Sequence, residues 1–75
     1  MPSLPVVSGK QAVKAFEKVG YEFSHQKGSH MMMRQNHAPH RRLTIPDHKE
    51  LSKGLLRSLI RDAGLTVEQF VKRLK

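Results

Sequence analysis

Apolar residues fall at Ala12, Val13, Phe16 and Val19, a spacing of three to four that gathers them on one side of a helix. Ser8 and Gln11 stand three apart, as the two halves of a capping box do, and Val7 and Ala12 are placed to staple that end. Gly20 sits where a left-handed residue closes a helix. The pattern predicts a helix over residues 9–19. From Tyr21 the period shortens to two. Tyr21–Gln26, His30–Gln35 and Arg41–Ile45 each alternate as strands do, separated by Lys27-Gly28-Ser29 and by the polar loop Asn36–His40, and Pro46 is expected to stop the third. The longer period then returns. Leu55, Leu56, Leu59, Ile60 and Ala63 form an amphipathic stripe ended by Gly64. Thr66 and Gln69 form a second capping box with Leu65 and Phe70 as its staple, opening a short helix through Val71 and Leu74.

The predicted class is α+β: a helix, a three-stranded antiparallel meander, a helix and a short C-terminal helix. All of it belongs to one domain over residues 1–75, with 1–7 as a short lead-in. Side chains alternate across a strand, so Tyr21, Phe23, Met31, Met33, Leu43 and Ile45 share an apolar face for the helices to cover. The opposite face should carry Glu22, Ser24 and Gln26, then His30, Met32 and Arg34, then Arg42 and Thr44. By the same parity His25 falls with Tyr21 and Phe23 and is expected to be a partly covered structural residue.

Charge narrows the choice of partner. Fourteen Lys and Arg against six Asp and Glu give a formal net charge of +8 in 75 residues. Such excess suits nucleic acid, an anionic surface or an acidic protein. Three Phe and one Tyr make a thin platform for stacking bases, which favours contact with backbone phosphates. Lys53, Arg57 and Arg61 recur every four residues along one side of the second helix. A row of this kind is usually a helix's solvated face. In so basic a chain it joins Lys27, Arg34, Arg41 and Arg42 as a candidate track for a nucleic-acid backbone. The lack of cysteine excludes disulfides and thiolate zinc sites and leaves a cytoplasmic location as the simpler reading. No apolar run is of membrane-spanning length, and residues 1–7 lack the pattern of a signal peptide.

Five histidines compete for a chemical role. A lone histidine is most often a solvated or core-satisfied side chain, but His30 is placed among cations on the uncovered face, which removes the core alternative. His37 and His40 have a metal-like spacing without an acid or cysteine nearby to complete a ligand set, so no metal is expected. His48 follows Asp47, which could orient an imidazole.

The run Lys27-Gly28-Ser29-His30, then Leu43-Thr44-Ile45-Pro46-Asp47-His48, then Lys53-Gly54-Leu55 through Gln69-Phe70, resembles the HicA toxins of bacterial toxin–antitoxin pairs. The likeness runs from about Ser8 to the C-terminus. Three consecutive Met after His30 and the pair Gly54-Leu55 depart from the usual family residues. The resemblance implies a fold like the double-stranded-RNA-binding domain and ribosome-independent cleavage of mRNA, and the reaction is expected to need no cofactor. It also implies a catalytic role for His30 and a HicB-type antitoxin that covers the site. In such a reaction a base takes the ribose 2′-OH proton and an acid protonates the leaving 5′ oxygen. Histidine suits either task. Lys27, Arg34 and Arg42 are candidates for phosphate contact, Ser29 offers a hydroxyl or backbone N–H, and His48 is the accessory candidate. The alternatives are a non-catalytic RNA-binding module, which leaves the Gly-Ser-His motif without a role, and a domain whose basic surface meets only an acidic protein.

Overall fold

The computed structural model describes residues 3–74. In chain order the elements are α1 (Gly9–Glu17), β1 (Tyr21–Lys27), β2 (His30–Gln35), β3 (Arg42–Pro46), α2 (Lys53–Asp62) and α3 (Val67–Arg73). The predicted class and order hold. The Ser8 and Thr66 capping boxes both form, each with the side chain accepting from the third helical N–H and the third side chain returning to the cap N–H. The α2 cap was not foreseen: Ser52 Oγ accepts from Leu55 N at 3.3 Å. Helix α1 is shorter than 9–19 because its end tightens. Lys18, Val19 and Gly20 N–H groups bond to carbonyls three residues back, and Gly20 turns the chain at φ 98°.

The strands form one antiparallel sheet in the order β1-β2-β3. One face is covered: Tyr21, Met31, Met33, Leu43 and Ile45 are buried with Ala12, Phe16, Leu56, Ile60 and Phe70 of the helices in a single core. Phe16 anchors it, with its ring centroid 5.9 Å from Tyr21 and 5.2 Å from Phe70. The Tyr21 hydroxyl crosses to donate to the Ala63 carbonyl at 3.2 Å, tying β1 to the end of α2. The lead-in also takes part. Leu4 and Val7 are buried, and Leu51 N donates to Val7 O at 2.8 Å. Phe23 lies on the same side by register with Met33, yet remains 46% exposed because the helices do not reach that far along β1.

Strand β3 runs one residue later than expected and includes Pro46, whose Cα is paired with His30. Proline is tolerated there because β3 is an edge strand.

Candidate active site

The open face is best described as three cross-strand rows. Paired residues of neighbouring strands point to the same side of a sheet. At one end Lys27, His30 and Pro46 stand abreast. In the middle are His25, Met32 and Thr44. At the far end are Glu22, Arg34 and Arg42.

The middle row corrects the expectation for His25. The register passes from Phe23–Met33 directly to His25–Met32, so Ser24 is an extra residue in β1. A bulge of this kind reverses the parity of everything after it. His25 and Lys27 therefore join the open face, and Gln26, paired with Met31, moves to the helix side. Gln26 Nε2 there lies 3.1 Å from Gly28 O and 3.4 Å from Asp47 Oδ2, at the rim below the turn. His25 is exposed, and its Nδ1 lies 3.0 Å from Ser24 Oγ. That contact ties one ring nitrogen to the bulge and leaves Nε2 free to meet a ligand.

His30 is exposed at the start of the central strand, as expected. The two-residue turn Gly28-Ser29 delivers it, with Gly28 at φ 59° in the left-handed conformation that a tight hairpin of this length demands of its first residue. The strand end opposite is held from behind. Asp47 N donates to Ser29 O at 2.6 Å, and Gly9 N donates to His48 O at 2.9 Å. A Cβ on Gly9 would overlap the Pro46 carbonyl, so this glycine lets α1 approach the residue paired with His30. Across the middle row the Thr44 hydroxyl donates to Met32 Sδ at 3.5 Å, which holds the half-buried thioether as an apolar floor between the polar ends.

Of the residues expected to meet RNA, Lys27, His30, Arg34 and Arg42 share this face, with Ser29 at its turn. The others lie elsewhere. Arg41 Nη1 points to the Asp62 carbonyl at 3.4 Å, at the C-terminal end of α2, where a cation complements the helix dipole. Lys53, Arg57 and Arg61 are exposed on α2, in the layer on the other side of the sheet. His48 is exposed beyond β3, where its carbonyl receives the first N–H of α1. Beyond Arg34 the open face runs into a shallow depression of about 330 Å³ lined by Glu22, Arg34, Gln35, Asn36 and His40. His37 pairs with its neighbour Asn36, Nδ1 to Oδ1 at 2.9 Å. Among the described residues, no three His, Asp or Glu side chains gather as a metal site would require.

The sequence model of the family described as "HicA toxin of bacterial toxin-antitoxin" matches residues 9–65. The chain belongs to the HicA toxin family. No curated protein matches it significantly. The matched segment runs from the first residue of α1 to the residue before the α3 cap, and so contains every residue of the open face. As a HicA toxin the chain is one half of a bacterial toxin–antitoxin pair, and an antitoxin is its implied partner. No helix among the described residues of this HicA chain is long and apolar enough to cross a membrane. The bulge overturns two sequence expectations: His25, expected with Tyr21 and Phe23, lies on the open face, and Gln26, expected on the open face, lies on the helix side. Nothing in Tyr21–Lys27 alone signals the extra residue.

Proposed function

We propose that this HicA toxin is an endoribonuclease that cleaves mRNA on the open sheet face, with His30 as a proton-transfer residue at the scissile phosphodiester. The observation that carries the proposal is the exposed imidazole of His30 beside Lys27, on a face whose other end bears Arg34 and Arg42. RNA laid along β2 passes from His30 over Met32 to the two arginines and the depression beyond them. The cations hold the phosphates and stabilise charge gathering on the phosphoryl oxygens. Lys27 is the nearest of them to His30 by register. The reaction is run by protein side chains, and a HicB-type antitoxin silences the toxin by covering this face.

Induced expression in a bacterial host tests the proposal. Wild type is expected to arrest growth and to shorten mRNA half-lives, and His30→Ala at equal soluble level is expected to do neither. Arrest that persists with His30→Ala would remove His30 from the chemistry. Arrest without new RNA ends would favour a non-catalytic RNA-binding module.

A further inference from the structure

The ribonuclease reading needs a second proton-transfer group. His48, the accessory candidate named from the sequence, lies past the end of β3 and outside the three rows of the open face. The bulge at Ser24 supplies another. His25 is opposite Met32, and His30 is two residues along β2 from Met32 on the same face. His25 and His30 are therefore diagonal cross-strand neighbours, a relation that sets residues about 7–8 Å apart. A reacting oxygen sits about 3–3.5 Å from its target, and each imidazole needs a hydrogen bond of about 2.6–3.2 Å. A separation of this size brackets one phosphodiester. Bulges beside active sites commonly re-aim a side chain, and here the re-aimed side chain has its Nδ1 tethered to Ser24 Oγ at 3.0 Å.

We propose that His25 is the second proton-transfer residue of this site and acts with His30 as an acid–base pair on one RNA phosphodiester. The inference rests on the ribonuclease reading above. One imidazole takes the 2′-OH proton as the 2′ oxygen bonds to phosphorus. The P–O5′ bond breaks, and the 5′ oxygen takes a proton from the other imidazolium. The products are a 2′,3′-cyclic phosphate and a 5′-OH, and one proton has passed between the histidines' positions with nothing else consumed. The charged groups facing the pair are Lys27 of β1 beside His30, Arg34 of β2, Arg42 of β3, and Glu22 at the far row. Thr44 and Met32 complete the surroundings without charge. Three cations against one acid favour an anionic substrate between the rings.

The test uses the full chain, with His25→Ala, His25→Gln and His30→Ala, each checked for wild-type melting. The substrates are an RNA oligonucleotide and its counterpart with sulfur replacing the bridging 5′ oxygen at the cleaved linkage. On ordinary RNA each variant is expected to lose about 10²–10⁴-fold in kcat, with a smaller change in KM. A thiolate leaves without being protonated. The sulfur substrate is therefore expected to restore one Ala variant to within about tenfold of wild type and leave the other slow. Wild-type kcat in His25→Ala, or rescue of neither variant, overturns the pair. If His30→Ala also cleaves normally, His30 is outside the chemistry and the pair falls with it; if wild type does not cleave at all, the ribonuclease reading itself has failed. A measurement without turnover separates these cases. In NMR spectra of the wild type with a 2′-O-methyl RNA oligonucleotide, the imidazole signals of His25 and His30 are expected to shift together at the same RNA concentration. A His30 shift without a His25 shift overturns the pairing.

Discussion

The two faces of the sheet use the same three strands for different ends. The covered face is Tyr21, Met31, Met33, Leu43 and Ile45, each almost wholly withdrawn from water and locked against three helices. The open face is Lys27, His30, His25, Arg34 and Arg42 with Met32 as its floor, and its polar side chains are solvent-exposed. Alternation joins them, since every strand position that secures one face exposes a neighbour on the other. Substitution on the covered face should therefore remove structure, and function with it. Substitution on the open face should remove function alone.

The largest effect should come from Phe16→Ala. Phe16 is fully buried between Tyr21 and Phe70. Emptying such a site costs about 3–5 kcal/mol, a large part of what a small domain has. Urea unfolding is expected to show a much lower midpoint or an unfolded protein; a midpoint near wild type would mean that the core does not depend on this ring. Gly9→Ala comes next, because α1 at this point packs directly on the backbone of the residue paired with His30. The Cβ must displace the Pro46 carbonyl, with a strain of about 1–3 kcal/mol. It should lower the melting temperature and also disturb the backbone amide of His30 across the pair in NMR spectra. A stability loss without that disturbance would uncouple the α1 end from the site.

The cations that meet phosphate sharpen the comparison further. Removing Arg34 and Arg42 together is expected to flatten the dependence of log affinity on log salt by about 0.7 for each phosphate no longer neutralised, the value for single strands. Changing Lys53, Arg57 and Arg61 to Ala should flatten it less, because α2 lies in the other layer. If the helix triple has the larger effect, RNA does not lie along the open face. The smallest effect belongs to Tyr21→Phe. The hydroxyl's hydrogen bond to Ala63 O is worth about 1 kcal/mol. Burial raises the Tyr21 pKa above its ordinary value of 10.0, with Arg41 opposing and Asp62 reinforcing the shift. The unfolded chain therefore ionises this phenol first, so its contribution is intact below about pH 10 and is lost as pH rises toward the folded value. Alkaline melting curves should show this loss in wild type and a weaker loss in Tyr21→Phe.

Much of this arrangement was legible in the residues. Both capping boxes, the turn at Gly28-Ser29 and the bounds of β2 follow from local chemistry that tertiary packing reinforces. So does the placement of His30, since β2 alternates without interruption. The position of His25 was not legible. A bulge adds one residue to one strand, and nothing in Tyr21–Lys27 shows which residue is extra until β2 is laid beside it. The same limit applies to Arg41 and to the α2 cations. Their charge suggested one common track, but only the packing of α2 behind the sheet shows that they face other ways. Leu4 escaped notice because an isolated apolar residue in a Pro-containing lead-in has no period to report its burial.

The most direct measurement is kcat for cleavage of one RNA oligonucleotide by purified wild type and His30→Ala. A fall of about 10²–10⁴-fold with an unchanged melting temperature is predicted. Cleavage by His30→Ala at the wild-type rate would contradict the account.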